Sequence, residues 1–255
     1  MLISWKRTVK ATLLCLSLGL TGLASNQANA GLILSYEAVG VQASTVQGVT
    51  TETFNNINTG QYTSLSTNVG TFSSPGLAVL NADQYGGAGN SGHYVAIGSQ
   101  SGTLTASLAL NGSQSYFGFW WSAADTLNGV DFYSGGKLLG SFSAAATISA
   151  LGSAFNGNPN GGGDTGEKFA YLNFTGTNGT TIDQVVFKNT STATGFEADN
   201  FSVRSAALAG PSGTVIANGF IPNVPEPSSL VMASIGGLMG LGCWVRTRRR
   251  AKVQA

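Results

Sequence analysis

The chain has 255 residues and a formal net charge of +1, with 12 Lys and Arg against 11 Asp and Glu. Eight of the basic residues lie in the two end segments, so residues 31–224 hold four basic and ten acidic residues and carry a net charge of −6. This excess of acidic residues argues against a nucleic-acid partner. The only cysteines, Cys15 and Cys243, lie outside residues 31–224, which excludes disulfides from this part of the chain.

Residues 1–30 have the pattern of a signal peptide. A basic segment, residues 6–10, precedes an apolar stretch over residues 11–24, and Ala-Asn-Ala at residues 28–30 is a small-residue cleavage site. The apolar stretch is shorter than the about 20 residues that span a bilayer, which argues against an amino-terminal membrane anchor. We therefore expect signal peptidase to remove residues 1–30 and the chain to be exported.

From residue 31 onward, short apolar or alternating runs are separated by Gly, Ser, Thr and Asn, which is typical of an all-β domain. We expect one domain over residues 31–209 and a linker over residues 210–223. The predicted strands cover residues 51–54, 77–80, 94–97, 103–110, 115–121, 129–133, 137–142, 169–174, 184–188 and 195–203. About ten strands suggest two packed sheets.

Local signals add detail to this prediction. Ser134-Gly135-Gly136 indicates a tight hairpin, because glycine reaches positive φ without steric cost. In the last strand the parity of the apolar residues changes near Asn200, which predicts a β-bulge. Residues 144–155 are read as a connection, and the glycine-rich residues 156–166 as an exposed loop.

Residues 224–255 combine three features in a fixed order. The motif Val224-Pro225-Glu226-Pro227 precedes an uncharged, mainly apolar run over residues 228–245. Basic residues follow: Arg246, Arg248, Arg249, Arg250 and Lys252. The apolar run is just long enough to cross a bilayer as one helix, and the basic cluster favours a cytoplasmic carboxyl end. The sequence thus predicts a single C-terminal transmembrane helix with the folded domain outside.

These residues resemble the PEP-CTERM sorting signal, whose family members are substrates of exosortase, a membrane cysteine protease of Gram-negative bacteria. The resemblance covers residues 224–255. It implies an inner-membrane-anchored intermediate and then a mature protein at the outer cell surface or in the extracellular matrix. Association with exopolysaccharide or biofilm is implied by the family alone.

The body is similar to a group of exosortase-dependent surface proteins of undefined molecular function. The matching segments, in one-letter code, are YFGFWW, DTLN, VDFY, LLGSF and GFEADN, between residues 116 and 200. This resemblance implies an all-β fold, a jelly-roll-like antiparallel β-sandwich.

Trp120 and Trp121 are neighbours on a predicted strand, so their side chains project from opposite faces. Parity groups Trp121 with Phe117 and Phe119, which makes Trp121 the inward residue and Trp120 the outward one. Trp120 then has two interpretations: burial under a loop, which we favour, or stacking on a sugar ring, as in carbohydrate-binding modules. Trp120 is therefore the candidate carbohydrate contact.

No pattern predicts a catalytic or metal site, since the single histidine, His93, has neither a nucleophile motif nor a second histidine to assist it. Two places offer oxygen ligands for a structural calcium ion: the EF-hand-like spacing of residues 156–167, and the strand positions Glu52, Glu197 and Asp199. Both are read as ordinary structural positions, and no cofactor is expected.

The sequence therefore predicts a non-enzymatic surface or matrix protein, processed by signal peptidase and exosortase and associated with exopolysaccharide. The first alternative is a carbohydrate-binding module, which an exposed row of aromatic side chains would favour. The weaker alternative is an envelope glycoside hydrolase, which a pair of carboxylates in a cleft would favour.

Overall fold

A computed structural model describes residues 31–216 of the chain. The strands of this part are β1 (Gly31–Tyr36), β2 (Thr50–Glu52), β3 (Gly60–Ser66), β4 (Gly70–Asn81), β5 (His93–Gly98), β6 (Thr105–Gln114), β7 (Tyr116–Ala124), β8 (Asn128–Ser134), β9 (Lys137–Ser143), β10 (Lys168–Thr177), β11 (Ile182–Asn189), β12 (Gly195–Arg204) and β13 (Thr214–Val215). One helix, α1 (Ala144–Ala150), and two 3-10 turns, Ala88–Asn90 and Ser153–Phe155, complete it. The predicted signal peptide and sorting segment lie outside the described residues.

The strands join into one continuous sheet in the order β13-β1-β10-β7-β12-β5-β4-β6-β11-β8-β9, with β2 added beside β12 and β3 beside β4. All of these pairings are antiparallel. The all-β, antiparallel prediction is confirmed, and the strands form one continuous sheet, so the two packed sheets suggested by the strand count are not separated by a break in hydrogen bonding. The finer jelly-roll-like sandwich stays a prediction.

Strand β4 is what makes the sheet continuous. Its twelve residues pair with β3 on one side, and on the other side first with β6 and then with β5. β6 and β5 belong to the two halves of the sheet that face each other. Pro75 lies between these two pairings, where its missing N–H removes no hydrogen bond to either strand.

The sheet curls so that its two halves enclose one core. Phe132 on β8 and Phe174 on β10 lie far apart in strand order, yet their ring centroids are 4.4 Å apart. Every phenylalanine between residues 31 and 216 is buried. Trp121 lies in the same core, as predicted. Since an aromatic side chain buries about 150–250 Å², this packing stabilises the domain without disulfides.

Two local predictions are confirmed. Gly135 and Gly136 join β8 to β9 with φ of 55° and 74°, the left-handed pair that a two-residue hairpin turn requires. The register of β12 against β7 shifts between Asp199 and Ser202, and Asn200 in this bulge has a φ of 50°. The bulge returns the apolar residues that follow it to the core.

Other expectations need correction. Part of residues 144–155 is helical: α1 buries Ala144 and Thr147, which lie about one turn apart on the same side of the helix. β13 lies within the predicted linker and pairs with β1, so the sheet extends past residue 209. β3 was missed because it is a mostly exposed strand of polar residues, which gives little apolar alternation.

Candidate functional site

Strand alternation determines which side chains of β12 project away from the core. Ala198 pairs with Trp121, and both lie in the core. Glu197 and Asp199, on either side of Ala198, therefore project from the opposite, outer face of the sheet, together with Trp120. The sequence Glu-Ala-Asp thus places two carboxylates on the outer face.

Trp120 is only 1% exposed, although it faces away from the main core. Its ring lies 5.9 Å from that of Phe169, and Tyr171, Ala123 and Ala88 complete a second, smaller apolar cluster. Of the two interpretations of Trp120, burial under a loop is confirmed. The candidate carbohydrate contact at this residue is wrong, because its ring presents almost no surface to solvent.

Asp199 holds the covering loop in place. Its carboxylate accepts hydrogen bonds from the backbone N–H groups of Ala88, at 2.8 Å, and Asn200, at 2.6 Å. Burial raises the pKa of Asp199 to about 7, and these two bonds only partly offset the effect. Because its oxygens are occupied by the chain itself, Asp199 has a structural role.

Beside this cluster lies a cleft of about 560 Å³, which we call the acidic cleft. Its lining contains the carboxylates of Asp83, Asp125, Glu167 and Glu197. Two tyrosines, Tyr85 and Tyr94, and the amide of Gln100 are also part of it. No lysine, arginine or histidine is among the lining residues, so the described part of the cleft has no positive side chain to balance its acids.

Glu197 is the most buried of these carboxylates, at 2% exposed. Gln100 Nε2 donates a hydrogen bond to its Oε1. A Cβ at Gly195 would collide with the Glu197 carboxylate and with Gln100, so a side chain at this position would displace both groups. Burial raises the pKa of Glu197 to about 8, the bond from Gln100 opposes the shift, and nearby carboxylates add to it.

Asp125 and Glu167 are brought together by strand pairing. Ala124 at the end of β7 pairs with Lys168 at the start of β10, so the next residues, Asp125 and Glu167, leave adjacent strand ends. An extra residue in β7, Ala123, sits at the register shift just before this pair and has a φ of 43°. Both carboxylates line the acidic cleft.

Glu167 holds its proton more firmly than an ordinary carboxyl. Burial, the neighbouring Asp164 carboxyl and the charge of Asp125 raise the pKa of Glu167 to about 8. Asp125 Oδ1 accepts a hydrogen bond of 2.6 Å from the backbone N–H of Leu127. At neutral pH Glu167 is therefore mostly protonated, which gives the cleft a carboxyl that can donate a hydrogen bond.

Asp83 and two tyrosines form another part of the lining. The Tyr94 hydroxyl donates to both oxygens of Asp83, at 3.1 and 3.2 Å. Burial and the Asp83 charge raise the pKa of Tyr94 well above its usual value, so the hydroxyl stays protonated. Tyr85 is 40% exposed and gives the cleft an aromatic side chain that reaches solvent.

The polar groups at the two candidate calcium positions bond to the protein backbone. Asn158 is buried and its Nδ2 donates to the backbone oxygens of Asp83, at 3.3 Å, and Gln84, at 3.1 Å, so it anchors its loop. The Glu52 oxygens accept backbone N–H groups of Phe54 and Asn68. Within residues 31–216 no group of three or more His, Cys, Asp or Glu side chains could hold a metal ion.

Sequence reasoning missed most of the acidic cleft. It singled out Glu197 and Glu167, but only as weak calcium positions, and it left Asp83, Tyr85 and Asp125 unmentioned as site residues. No short motif joins these positions, because they come from separate loops and strand ends. The clearest available signal was the acidic excess of residues 31–224 without matching bases.

The predicted sorting residues lie outside the described part of the chain. They are Val224, Pro225, Glu226 and Pro227, with Arg246, Arg248, Arg249, Arg250 and Lys252. Within residues 31–216, no helix has the length and apolar character needed to cross a membrane.

Comparison with known proteins identifies the carboxyl-terminal segment. The family model of the PEP-CTERM protein-sorting motif matches residues 223–250, which include the predicted motif and the apolar run. Comparison with curated proteins gives no match. The resemblance recognised in the tail is therefore confirmed, while the resemblance of the body stays a prediction. The chain therefore carries a PEP-CTERM sorting motif in its carboxyl-terminal tail, which supports an exported protein sorted by exosortase.

Proposed function

We propose that this protein is a non-enzymatic component of the outer cell surface or extracellular matrix that associates with exopolysaccharide. The observation that carries the proposal is the PEP-CTERM motif at residues 223–250, which directs an exported chain to the envelope. Signal peptidase acts first, at residue 30, and exosortase then processes the inner-membrane-anchored intermediate near residues 224–227.

The acidic cleft supports an association with glycans. Clefts of about 300–1,000 Å³ that combine apolar walls with a few polar groups are typical ligand sites, and this one measures about 560 Å³. Tyr85 offers an aromatic ring for the apolar face of a sugar. Carboxylate and amide groups beside it are suitable partners for hydroxyl groups.

Processing of the tail by exosortase provides the test of this proposal. In a host with exosortase, replacing Pro225, Glu226 and Pro227 together by alanine should leave the chain in the membrane fraction with Ala255 retained. Intact-mass analysis of the surface fraction should find the unaltered protein ending between Val224 and Pro227. Pro211→Ala serves as the matched control and should be processed normally. Surface protein that retains Ala255 would contradict the proposal.

A glycoside hydrolase is a second candidate function, on one observation: the carboxylates of Asp125 and Glu167 at adjacent strand ends in the cleft. In such a reaction a protonated carboxyl donates its proton to the oxygen of the breaking glycosidic bond, and the other carboxylate takes a proton from the water that adds to the sugar carbon. Mass spectrometry of oligosaccharides incubated with the protein tests this. Cleavage lost in both Glu167→Gln and Asp125→Asn would establish it, and intact oligosaccharides would exclude it for the sugars used.

A further inference from the structure

The first and last described residues lie towards the same end of the sheet. Gly31, the first residue of β1, pairs with Thr177, the last residue of β10. The other end of β10 begins with Lys168, which directly follows the cleft residue Glu167. The ten residues of β10 span about 30 Å, so Gly31 lies about 30 Å from this side of the acidic cleft. We call the end with Gly31 and Thr177 the terminal end, and the opposite one the cleft end.

The carboxyl-terminal exit is directed to the terminal end as well. Val215 pairs with Ser35 on β1, and the N–H of Ile216 donates to the backbone oxygen of Leu34. Since β13 runs antiparallel to β1, the chain at Ile216 heads towards Gly31. The segments that lead to the predicted signal peptide and to the sorting motif therefore leave the domain in the same direction.

A set of hydrogen bonds, which we call the clasp, holds this exit in place. Glu37 Oε1 accepts bonds from Ser212 Oγ, at 2.8 Å, and from Thr45 Oγ1, at 2.7 Å. Ser35 Oγ donates to the backbone oxygen of Ser212. Ser35 and Glu37 are both buried. Ser212 is therefore bound to interior groups of the domain just before the chain enters β13.

Gly213 lets the chain approach β1 closely. Its φ is 71°, and a Cβ at this position would lie 2.2 Å from the backbone oxygen of Tyr36. Any other residue would push this segment away from β1. With the clasp closed, the tether to the membrane begins after Ile216. With the clasp open, it begins after Arg204, twelve residues earlier.

The amino-terminal tether limits how the domain can turn. Six residues, 25–30, separate Gly31 from the apolar stretch of the predicted signal peptide, and they span at most about 20 Å. The cleft end lies farther from Gly31 than this, at about 30 Å. While the signal peptide is attached, the domain therefore cannot turn its cleft end to the bilayer.

The carboxyl-terminal tether is also short. Eleven residues, 217–227, connect Ile216 to the apolar run of the tail and span at most about 37 Å. Leu34, opposite Ile216, pairs with Phe174, six residues from the start of β10. Turning the domain over would use about 20 Å of the tether to pass back along β10. An open clasp would add twelve residues and remove this limit.

The charges of the two ends favour the same orientation. Lys137 follows a turn whose Gly135 N–H donates to Asp183, near the start of β11 and the end of β10. Arg204, the last residue of β12, pairs with the first residue of β7 and lies at the same end. Asp183 offsets part of this charge, whereas four carboxyl groups and no basic side chain line the cleft. Anionic lipid headgroups attract the basic groups and repel the carboxylates.

We propose that the anchored domain turns its terminal end to an anionic bilayer and its acidic cleft away from it, and that the clasp sets this orientation. Lys137 and Arg204 are the residues that meet the lipid headgroups. The inference rests on the proposed function, since it concerns the inner-membrane-anchored intermediate. It leaves the cleft open to molecules outside the membrane.

The test measures energy transfer from labels on the domain to acceptors on lipid headgroups. The chain is isolated from membranes of a host without exosortase, with Cys15 and Cys243 replaced by serine, and placed in nanodiscs that contain anionic lipid. A donor dye is attached at Ser113→Cys, an exposed position at the terminal end, or at Thr192→Cys, an exposed position at the cleft end. Because the length of β11 separates these ends by about 25 Å, transfer should be at least about twofold higher from Ser113→Cys.

A pair of glycine variants tests the clasp. Gly213→Ala should open it, lengthen the tether and reduce the difference between the two labels to less than about half. Gly210→Ala is the matched control, because a Cβ there meets no atom within 4 Å, and it should keep the full difference. Trypsin cleavage after Arg204 reports release of the segment independently, and it should be faster in Gly213→Ala only.

Two results would overturn the inference. One is equal transfer from the two labels, or higher transfer from Thr192→Cys. The other is a Gly213→Ala variant that trypsin cuts faster and that still shows the full difference. Because the measurement does not involve sorting, its failure leaves the proposed surface function standing. A chain that shows the orientation but is not processed by exosortase would contradict the proposed function alone.

Discussion

The burial of Trp120 and Trp121 on opposite faces of β7 predicts that both rings stabilise the fold. A tryptophan side chain buries about 150–250 Å², which at about 25 cal/mol per Å² corresponds to about 4–6 kcal/mol. Replacing a large aromatic core residue by alanine costs about 3–5 kcal/mol. We expect this loss for both Trp120→Ala and Trp121→Ala. Trp121→Ala should be the larger, because it also removes the 3.1 Å bond from Trp121 Nε1 to the buried Asn128.

Urea unfolding of the purified protein, followed by circular dichroism, measures these losses. Trp120→Phe is the matched control, because it keeps an aromatic ring near Phe169 and should cost clearly less than Trp120→Ala. A loss below about 1 kcal/mol for Trp120→Ala, a value usual for surface positions, would refute the reasoning. It would mean that the covering loops leave the ring accessible, and the sugar contact at Trp120 would have to be reconsidered.

Three further predictions follow from other positions. Since burial raises the pKa of Glu197 to about 8, its neutral form is favoured in the folded protein, and stability should fall as the pH rises from about 5 to about 8. Glu197→Gln should flatten this fall in the free energy of unfolding, whereas Asp183→Asn should not. Chelator should leave the thermal midpoint within about 2 °C, because a weak or absent calcium site adds little mass-action stabilisation. Finally, Asn200→Val should destabilise by about 1–3 kcal/mol more than Asn200→Gly, because both lose the bond from Asn200 Nδ2 to the Gln42 oxygen but only the β-branched residue fits the left-handed bulge poorly.

The sequence allowed the strand content, the hairpin and the bulge to be predicted because each depends on neighbouring residues. Gly135-Gly136 can form a left-handed turn wherever it occurs, and the parity change near Asn200 is visible within one strand. The inward position of Trp121 follows from the same alternation. These are local rules, and the structure agrees with them.

The continuous sheet and the acidic cleft depend on pairings between distant parts of the chain. Nothing in the composition of β4 shows that it pairs with both β5 and β6. Asp125 and Glu167 are more than forty residues apart and become neighbours only because Ala124 pairs with Lys168. Trp120 faces outward as parity predicts, but its burial depends on a loop whose position the sequence does not disclose.

The pairing of β13 with β1 bears on how the domain responds to mechanical load. In the proposed membrane-anchored intermediate, tension on the tail would reach the described domain first at Ile216, whose N–H donates to the backbone oxygen of Leu34 at 3.0 Å. β13 is paired through only two residue pairs, whereas β1 and β10 are paired through six. Under force, β13 should therefore separate from β1 before β1 separates from β10. The twelve residues after Arg204 would then span at most about 40 Å, and Ile216 would leave the core.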